Sequence, residues 1–481
     1  MATLSAWLGR ALSKAEFAQF GDPDISFMTD DSRRAQKGGV YVFDVRIHRD
    51  AHAFIDAALE AGSLVVSNAD RDDVIFEELP GAILARYAKA QFPNLPAHCV
   101  AVTGTNGKAS TAWFFHHLLA AAGYKAASMG TLGVYVNGTL IQETGYTSPT
   151  ALKTHEILHN LHAQGVTHVC LEASSHALAL GRLDGVPFCA AALTNITQDH
   201  LDFHGDMDAY ATAKMRLFTD VLAENGVAVA NPRRMDNWGA MALAKERGVR
   251  VLTAGSANAE LVVEPLKADA DGLTIEVRAE QVKAQVKLPL VGAFQAENVA
   301  SALGLAWACG VPLEKLVTGL PKLLPVPGRM EMVQKIKATQ STVVVDYAHT
   351  PDALERVLGS LRPLVPTGGK LWCVFGCGGD RDNKKRPIMG SIVAKLADVS
   401  VVTDDNPRTE DAAKIRAQVL QGADHELEMP DRRTAIAHAI NNASDKDIVL
   451  IAGKGHESGQ IIGKITEPFD DRLVAKEVLA V

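Results

Sequence analysis

The sequence predicts an α/β protein with three consecutive domains, two of which are doubly wound sheets. The chain has 481 residues, enough for about three domains of ordinary size. Short apolar runs alternate with helical stretches, as they do where helices cover both faces of a parallel sheet. Proline-containing segments at 91–97 and 323–328 separate these regions. We therefore place the domains at residues 1–92, 93–325 and 326–481.

The first domain is predicted to be a small α/β module. Residues 39–43 and 63–67 have the composition of short strands, and residues 53–61 between them form a helix that ends at Gly62. The polar stretches within this module are expected to be loops, and spacing alone assigns no ligand to them.

The central domain opens with a strand, a glycine turn and a helix, at 99–102, 104–107 and 112–122. Glycines let backbone N–H groups approach an anion, the helix N-terminus contributes its positive dipole end, and Lys108 adds a cation. The strict phosphate-loop pattern is not met, because Ala109 stands where serine or threonine follows the lysine. A glycine turn without a ligand is the alternative interpretation.

Polar residues gather where the next central strands end. These strands are predicted at 168–173, 189–194 and 226–230. Glu172 lies at the end of the first of them and His200 follows the second, and ligands collect beyond the carboxyl ends of parallel strands. We therefore expect both residues to meet Lys108 at one edge of the sheet. Residues 250–290 alternate in the manner of antiparallel strands.

The third domain repeats this arrangement. Buried strands are predicted at 342–346, 371–375, 399–403 and 448–452. Each runs into polar or glycine residues, which indicates a second doubly wound sheet with a second ligand edge. Arg381 and Arg408 each follow a strand end, where a guanidinium can bind a carboxylate through two hydrogen bonds. Surface ion pairing is the alternative.

Candidate metal ligands favour magnesium over zinc. His200 and His204 lie four residues apart, but Leu201 occupies the position where a zinc protease has glutamate. Glu172 beside a phosphate loop suits Mg²⁺, which prefers carboxylate, water and phosphate oxygens. From its spacing on an amphipathic helix, Lys214 is expected to be a surface lysine.

Composition excludes several other classes. The net charge is −8 and no long basic run occurs, so no nucleic-acid partner is expected. No basic segment precedes a long apolar one, so we expect neither a signal peptide nor a membrane span. The six cysteines are scattered and are interpreted as reduced core residues of a cytoplasmic protein, Cys373 and Cys377 included.

Taken together, nine motifs occur in the order seen in one enzyme family. They are Gly104-Thr-Asn-Gly-Lys108, Glu172-x-Ser-Ser-His176, Asp199-His-Leu-Asp-x-His-Gly-Asp206, Lys214, Gly328-Arg-Met-Glu331, Asp346-Tyr-Ala-His-Thr-Pro-Asp352, Gly376-Cys-Gly-Gly-Asp-Arg381, Asp405-Asn-Pro-Arg408 and Gly453-Lys-Gly-His-Glu457. Across essentially the whole chain, the sequence resembles the Mur ligases, and more narrowly the members that add meso-diaminopimelate.

The resemblance implies a UDP-binding N-terminal domain, a central P-loop-type ATPase domain and a Rossmann-like C-terminal domain. It implies an ATP-dependent ligase that joins meso-diaminopimelate to the D-glutamate side-chain carboxyl of UDP-N-acetylmuramoyl-L-alanyl-D-glutamate. The reaction passes through an acyl phosphate and forms ADP and phosphate during cytoplasmic peptidoglycan precursor synthesis. The implied cofactors are ATP and Mg²⁺, and we expect a monomer that acts on these small molecules.

The resemblance also assigns site residues, by position. Catalysis is implied for Lys108, Lys214, His200 and Glu172. ATP binding is implied for Gly104, Thr105, Asn106, Gly107, Lys108, Ala109, Ser110, Asn298, Arg329, Asp346 and His349. The UDP-muramoyl-dipeptide is implied to contact Asp30, Ser32, Ile47, His48, Arg49, Tyr146, Thr147, Ser148, Ser174, Leu180 and Arg182. Meso-diaminopimelate is implied to contact Arg381, Asp405, Asn406, Pro407, Arg408, Gly453 and Glu457. Magnesium is implied at Glu172, His200, Ser110 and Lys214, the last carbamylated to N6-carboxylysine.

Some positions depart from the family pattern. Ala109 replaces a hydroxyl residue that ligates magnesium, so Ser110 or water has to substitute. Leu180 replaces a glutamine that contacts substrate. Three alternatives stay open: a lysine-adding relative, a folylpolyglutamate-synthase-like ligase, and a nucleotide-binding protein with little catalysis. Arg408 argues against the first two, whereas Ala109 motivates the third.

Overall fold

The computed structural model describes residues 2–48, 50–234, 239–256, 258–269, 272–333, 340–422 and 427–480. Arg49, one of the expected substrate contacts, lies outside these residues. The chain forms two compact units. The first comprises Met1–Ile196, Phe203–Ala254 and Ser301–Leu316, and the second comprises Thr197–Asp202, Gly255–Ala300 and Val317–Val481.

The N-terminal part of the first unit is the predicted small α/β module. Its strands are β1 (Ala2–Thr3), β2 (Asp24–Ile25), β3 (Met28–Thr29), β4 (Val40–Phe43), β5 (Leu64–Ser67) and β6 (Ile75–Phe76). Its helices are α1 (Leu4–Leu8), α2 (Lys14–Phe20), α3 (Ala51–Glu60) and α4 (Pro80–Gln91). Strands β3 to β6 pair in parallel, in chain order. Strands β4 and β5 and helix α3 confirm the three predicted elements.

The central part of the chain carries the phosphate-loop strand. Its strands are β7 (His98–Thr103), β8 (Ala126–Gly130), β9 (Gly133–Val136), β10 (Thr139–Gln142), β11 (His168–Glu172), β12 (Phe188–Leu193), β13 (Leu222–Ala230) and β14 (Arg250–Gly255). Its helices are α5 (Lys108–Ala121), α6 (Ala151–Ala163), α7 (Ser175–Ala179), α8 (Leu201–His204), α9 (Met207–Arg216) and α10 (Ala240–Glu246).

Within the first unit the strand order is β10-β9-β8-β11-β7-β12-β13-β14. The six strands from β8 to β14 in this order pair in parallel, whereas β9 and β10 are antiparallel additions at one edge. Strand β14 corrects the expectation for residues 250–290, since it pairs in parallel with β13. Strands β7, β11 and β12 are buried along nearly their whole length, as strands covered on both faces must be.

The antiparallel expectation is confirmed for the residues after β14. Strands β15 (Leu261–Asp269), β16 (Gly272–Ala279) and β17 (Val282–Leu288) form two successive antiparallel pairs. Two helices follow, α11 (Gln295–Ala308) and α12 (Leu313–Gly319).

The C-terminal part of the second unit is a doubly wound sheet, as predicted. Its strands are β18 (Glu331–Val333), β19 (Thr342–Asp346), β20 (Leu371–Phe375), β21 (Val399–Val402), β22 (Leu427–Glu428), β23 (Ile448–Ala452), β24 (Gly459–Ile462) and β25 (Ile465–Pro468). Its helices are α13 (Pro351–Leu361), α14 (Lys385–Leu396), α15 (Ala412–Leu420), α16 (Arg432–Asn442) and α17 (Asp471–Ala480).

The main sheet of this part has the order β18-β19-β23-β20-β21-β22, and only β18 is antiparallel. One apolar cluster packs on each face of the sheet. A buried ion pair joins α16 to α17, with 2.7 Å between Arg432 Nη2 and Asp471 Oδ2. Neither side chain of this pair is exposed, so each charge depends on the other for compensation.

The predicted domain boundaries coincide with breaks in regular structure, and they stay predictions. Residues 92–97 contain neither helix nor strand. The N-terminal module and the central strands nevertheless belong to one compact unit, in which Ala151 of α6 joins the apolar cluster of Ile83 and Leu84. Throughout the described parts of the chain, no helix combines the length and apolar character that crossing a membrane requires.

Candidate active site

The turn after β7 needs glycine for two physical reasons. Gly104 has a φ of +147°, a backbone conformation that L side chains rarely adopt. A Cβ at this position would lie 1.9 Å from Thr194 Oγ1. Gly107, with a φ of +88°, then turns the chain into α5. The glycines singled out in the sequence therefore shape a tight loop at the carboxyl end of β7.

The end of β12 holds this loop in place. The N–H of Thr105 donates to the carbonyl of Asn195 at 2.8 Å, and the N–H of Asn106 donates to Asn195 Oδ1 at 3.0 Å. The Thr194 hydroxyl donates to the carbonyl of Asn106 at 2.6 Å. The loop is therefore preorganised by its neighbouring strand, which lowers the entropic cost of binding an anion there.

The N-terminus of α5 follows the loop directly. Its N-cap residue is Gly107, which has no side chain to cap the first turn of Lys108, Ala109 and Ser110. The Lys108 ammonium donates to the carbonyls of Gly104 and Thr105, each at 2.9 Å. A 14-residue helix thus presents its positive dipole end and a cation at the same loop.

Lys214 is a buried residue, so the surface position expected from its spacing is wrong. Its side chain is 1% exposed, and Nζ donates to the carbonyl of Gly104 at 2.9 Å. Nζ also lies 4.5 Å from the ring centroid of Tyr210, whose hydroxyl is 3.0 Å from Thr105 Oγ1. Helix α9 therefore delivers a second cation to the phosphate loop.

Glu172 lies at the carboxyl end of β11 and is 3% exposed. Its Oε1 accepts the N–H of Thr131 at 2.8 Å, and its Oε2 accepts the Thr131 hydroxyl at 3.2 Å. Gly130 makes room for the carboxylate, because a Cβ there would lie 2.0 Å from Oε1. The parallel pairing of β11 with β7 puts Glu172 and Lys108 at the same end of the strands, whereas the meeting of both with His200 stays a prediction.

A serine and arginine cluster lies next to Glu172. The Ser148 hydroxyl contacts the carbonyl of Glu172 at 2.7 Å and Ser174 Oγ at 3.2 Å. Arg182 donates to the carbonyl of Ser148 at 3.4 Å. Burial raises the pKa of the Asp30 carboxyl, while the Thr150 hydroxyl and the charge of Arg182 oppose that rise. The structure therefore brings Asp30, Ser148, Ser174 and Arg182 together, and their contact with the UDP-muramoyl-dipeptide stays a prediction.

Other expected substrate contacts are more dispersed. Tyr146 and Ile47 are 66% and 46% exposed. Thr147 Oγ1 lies 3.0 Å from Thr131 Oγ1, and His48 Nδ1 accepts the N–H of Asp50 at 3.1 Å. Ser32 begins a short 3₁₀ helix. Leu180 is 3% exposed, and its carbonyl would lie 1.9 Å from a Cβ at Gly81, so its close neighbour is the N-terminal module.

In the second unit, Asp346 organises the end of β19. Its carboxylate accepts the N–H groups of Met330 and Ala348, each at 2.7 Å. Burial raises the pKa of this carboxyl, and the charge of Arg329 opposes the rise. The Arg329 guanidinium lies 4.2 Å from the ring centroid of Tyr347. The Gly328–Glu331 and Asp346–Asp352 motifs therefore form one structural feature.

The remaining predicted residues of the ATP and magnesium sites also have defined surroundings in this unit. Burial, together with the positive charge of Lys385, lowers the pKa of His349 to about 4. Asn298 donates to Gln295 Oε1 at 2.8 Å. His200 has a φ of +53°, and its Nε2 lies 3.5 Å from Asp199 Oδ2.

The most extensive polar network in the candidate amino-acid site joins the ends of β21 and β23. Asn406 donates to Glu457 Oε2 at 2.8 Å and accepts from Lys454 Nζ at 2.9 Å. Lys454 also donates to Glu457 Oε2 at 3.2 Å, although its own side chain has no exposed surface. Asn406 and Glu457 are 51 residues apart in the chain, and the two strand-end motifs that contain them thus form one charged cluster.

Arg408 is held in an uncommon backbone conformation beside this cluster. Its φ is +51°, and its guanidinium donates to the carbonyl of Gly379 at 2.8 Å. A Cβ at Gly379 would lie 2.0 Å from the carbonyl of Pro407. A Cβ at Gly453 would lie 2.5 Å from Asp405 Oδ2. Glycines therefore let three loops converge here, whereas Arg381 is exposed on one of them.

Several residues of these clusters received no role from the sequence. Lys454 lies within a quoted motif, and only its burial identifies it as a bridge between Asn406 and Glu457. Thr194 and Tyr210 contact the phosphate loop from distant parts of the chain. Their hydroxyls carry no local spacing signal, so no sequence rule could have found them.

The fold and these clusters define a class of protein. A glycine loop at a helix N-terminus, with two lysines on its carbonyls, is typical of enzymes that bind nucleotide phosphates. A separate cluster of amide, carboxylate and guanidinium groups at the strand ends of the second unit suits an amphoteric small molecule. The class is a nucleotide-dependent α/β enzyme with a second polar substrate.

Comparison with known families identifies the family to which this enzyme belongs. The family "Mur ligase middle domain" matches residues 102–306, and "Mur ligase, glutamate ligase domain" matches residues 328–455. The chain belongs to the Mur ligase family, which confirms the family and the fold class predicted from the sequence.

Similar proteins match along nearly the whole chain. A UDP-N-acetylmuramoyl-L-alanyl-D-glutamate–2,6-diaminopimelate ligase of Agrobacterium fabrum is 41% identical over 98% of this chain and 96% of its own length. The ligase of the same name from Caulobacter vibrioides is 42% identical over 94% of each chain.

Solved structures agree with the sequence relatives. A structure of UDP-N-acetylmuramoyl-L-alanyl-D-glutamate–2,6-diaminopimelate ligase matches with a TM-score of 0.67 at 34% identity, covering 100% of this chain and 99% of its own. A folylpolyglutamate synthase from Mycobacterium tuberculosis shares the fold, with a TM-score of 0.63 at 18% identity over 77% of this chain and 92% of its own.

Proposed function

We propose that this protein is an ATP-dependent ligase that adds meso-diaminopimelate to the D-glutamate side-chain carboxyl of UDP-N-acetylmuramoyl-L-alanyl-D-glutamate. The products are ADP, phosphate and the extended precursor of peptidoglycan. The observation that carries this choice of amino acid is the arrangement around Arg408, beside the cluster of Asn406, Lys454 and Glu457. Relatives named for this reaction, 41% and 42% identical, support it.

The reaction requires activation of a carboxylate, which is a poor electrophile. Transfer of the γ-phosphoryl group of ATP to the D-glutamate carboxylate forms an acyl phosphate and releases ADP. The amine of the incoming amino acid then attacks the acyl carbon, and phosphate leaves with the C–O bond electrons. Both steps develop negative charge on oxygen, so positioned cations and N–H donors supply most of the stabilisation.

The phosphate loop performs the first part of this task. Gly104, Thr105, Asn106 and Gly107 shape the cradle, and the N–H groups of the first α5 turn bind phosphate oxygens. Lys108 now contacts two loop carbonyls and can turn to a phosphate oxygen without moving the backbone. We assign the remaining ATP contacts to Asn298, Arg329, Asp346 and His349.

The residues of the loop edge fit a magnesium ion. Glu172 offers a carboxylate and Ser110 a hydroxyl, and such hard oxygen donors match Mg²⁺. His200 and a carbamylated Lys214 complete the proposed ligand set. Magnesium supplies neutralisation of the phosphate charge. Carbamylation of Lys214 would replace a buried ammonium with a carboxylate, which suits a residue 1% exposed beside a bound cation.

Recognition of meso-diaminopimelate depends on its second amino and carboxyl groups. Arg408 can bind the distal carboxylate through two hydrogen bonds, and we assign Arg381 to the same substrate. Asp405, Asn406 and Glu457 present oxygens to its ammonium groups, while Pro407 and Gly453 shape the surrounding backbone. L-lysine lacks the distal carboxylate, and would leave the Arg408 guanidinium without its partner.

The nucleotide-linked dipeptide is assigned to the first unit. The proposed contacts are Asp30, Ser32, Ile47, His48, Arg49, Tyr146, Thr147, Ser148, Ser174, Leu180 and Arg182. The cluster of Asp30, Ser148, Ser174 and Arg182 supports this assignment because it adjoins Glu172. By family resemblance, we also propose that the enzyme acts as a monomer in the cytoplasm.

An amino-acid panel tests the proposed function. Phosphate release is measured with ATP, Mg²⁺, the UDP-muramoyl-dipeptide and meso-diaminopimelate, L-lysine or L-glutamate. Turnover is expected only with meso-diaminopimelate. The Arg408→Ala variant is expected to lose about 100-fold or more in kcat/KM for meso-diaminopimelate, as a buried charged hydrogen bond at an interface typically costs. Equal turnover of L-lysine would overturn the proposal.

Ala109 favours a second candidate, a nucleotide-binding protein with little catalysis. The methyl side chain is 7% exposed in the first α5 turn and cannot ligate a cation. Under this candidate, the wild-type protein binds ATP without ligation, and Ala109→Thr restores turnover. Under our proposal, wild-type turnover is already substantial, and Ala109→Thr mainly lowers the Mg²⁺ concentration needed for half-maximal rate. The magnesium dependence of both proteins separates the two.

A further inference from the structure

A cluster of metal-ligating side chains lies outside the site described above. Among the described residues, a single group of three histidine, cysteine or acidic side chains has its ligand atoms all within 4.8 Å of one another: His98, Cys189 and Cys309. The two sulfur atoms are 3.8 Å apart. All three side chains are partly exposed, so an ion from solvent can reach them. This also corrects the expectation that every cysteine lies in the core.

The topology places this cluster at the amino ends of the strands, whereas the phosphate loop lies at their carboxyl ends. His98 is the first residue of β7, and Cys189 is the second residue of β12. Cys309 directly follows α11, with its N–H donating to the carbonyls of Leu305 and Ala306, each at 3.2 Å. Strand β7 rises about 3.3 Å per residue, so roughly 17 Å separates His98 from Thr103 at the loop edge. The cluster therefore has no part in the phosphate chemistry.

The spacing of the ligand atoms is close to that of a tetrahedral zinc site. With Zn–S bonds of about 2.3 Å, tetrahedral geometry puts two sulfurs about 3.8 Å apart. The same geometry puts a sulfur and an imidazole nitrogen about 3.6 Å apart, within reach of a small ring rotation. A disulfide would require the sulfurs to approach to about 2.05 Å. The 3.8 Å between the Cys189 and Cys309 sulfurs therefore matches the distance expected between two sulfurs bound to one zinc ion.

A neighbouring ring holds the imidazole of this cluster in place. The ring of His98 stacks on that of His168 at a centroid distance of 4.4 Å and an interplanar angle of 15°. That stacking limits ring tilt and keeps the imidazole beside Cys189.

We propose that His98, Cys189 and Cys309 form a binding site for a thiophilic divalent cation, with Zn²⁺ the best match. Two thiolates and one imidazole supply three ligands, and water takes the fourth position. Binding releases the thiol protons and involves no electron transfer. The ion joins the starts of two strands to the end of α11, so it stabilises the first unit without entering the ligation reaction.

The test uses the reduced full-length protein, first stripped of metal with a chelator. Zn²⁺ is titrated in competition with a chromophoric chelator, and Co²⁺ is used as a spectroscopic probe. We expect one tightly bound ion per chain, thiolate-to-cobalt charge-transfer absorption, and a higher melting temperature with Zn²⁺. Cys189→Ala, Cys309→Ala and His98→Gln are expected to lose the tight site. Cys377→Ala, which removes a buried thiol in the second unit, is the matched control and is expected to retain it.

A second measurement needs no variant. Alkylation of the wild-type protein, followed by peptide mass spectrometry, is expected to slow at Cys189 and Cys309 when Zn²⁺ is present. Absence of stoichiometric binding, or unchanged binding in all three ligand variants, would overturn the proposal. Recovery of a Cys189–Cys309 disulfide from a protein that binds no zinc when reduced would also overturn it, in favour of a redox pair.

Discussion

At the scale of single residues, each of the two candidate clusters contains a buried lysine, and this distinguishes them from groups of polar residues on an ordinary protein surface. Lys214 and Lys454 are 1% and 0% exposed, and each donates to groups in a functional loop. Burying an ammonium is costly unless it is paired and hydrogen-bonded. Both ammonium groups are hydrogen-bonded: Lys214 to the loop proposed to bind ATP, and Lys454 to the cluster proposed to bind the amino acid.

The Lys454→Met variant tests the amino-acid cluster. Loss of the ammonium leaves Asn406 Oδ1 and Glu457 Oε2 without their shared donor. Hydrogen bonds to charged groups contribute about 1.5–3 kcal/mol, so the KM for meso-diaminopimelate should rise about 10- to 100-fold. The KM for ATP should change little. Lys464→Met, at an exposed lysine, is the control. An unchanged KM for the amino acid would remove Lys454 from the site.

How far the site could be predicted also depends on the residue. Sequence motifs singled out Lys108, Glu172 and Arg408, because each lies at the end of a predicted strand or in the loop that follows one. The burial of Lys214 could not be predicted, since it depends on how α9 packs against a loop over 100 residues earlier. Local periodicity indicates which face of a helix is apolar, but it does not indicate which backbone carbonyl a side chain on that helix will contact in the folded chain.

At the scale of elements, two helical glycines have opposite surroundings. A Cβ at Gly359 in α13 would meet open space, whereas one at Gly390 in α14 would lie 2.1 Å from the carbonyl of Val419. The first glycine only lowers helix propensity, and the second permits close packing of α14 on α15.

These two glycines give a matched pair of variants. Gly359→Ala should stabilise the protein by about 0.5–1 kcal/mol, because alanine loses less backbone entropy in a helix. Gly390→Ala should destabilise it by about 1–3 kcal/mol through overpacking. Thermal unfolding measures both. A drop in melting temperature for Gly359→Ala, or none for Gly390→Ala, would contradict the packing described for these helices.

The elements predicted correctly were those with long apolar runs. Strands β7, β11, β19, β20 and β23 are buried and were located within a residue or two. The two-residue strands β3 and β6 were missed, because so short a segment has no measurable period. The direction of β14 was wrong because apolar periodicity does not reveal whether a neighbour runs parallel or antiparallel.

At the scale of the whole molecule, two histidines with lowered pKa values make the free energy of unfolding depend on pH. Burial lowers the pKa of His117 from 6.5 to about 4, and it also lowers the pKa of His116 well below its ordinary value. The unfolded chain takes up protons at these side chains below about pH 6.5, whereas the folded chain resists protonation. Stability is therefore fully present above pH 6.5 and is lost as the pH falls towards 4.

The His117→Gln variant isolates this effect. His117 alone should cost the wild-type protein about 1 kcal/mol of unfolding free energy between pH 6.5 and pH 5, allowing for solvent screening of this partly exposed side chain. The variant should lose less stability over that interval, as measured by urea unfolding at several pH values. His52→Gln, at an exposed histidine, is the control and should follow the wild-type curve. Identical curves for His117→Gln and wild type would refute the assignment.

The convergence of two lysines on one carbonyl has a practical consequence. The Gly104 oxygen accepts from both Lys108 and Lys214, each at 2.9 Å, so as long as Lys214 is not carbamylated the loop concentrates positive charge before any nucleotide arrives. Small tetrahedral oxyanions in a buffer should therefore occupy the loop and compete with ATP. Purification or assay in sulfate or inorganic phosphate would understate the affinity for nucleotide, and a zwitterionic buffer with chloride salts is the appropriate medium.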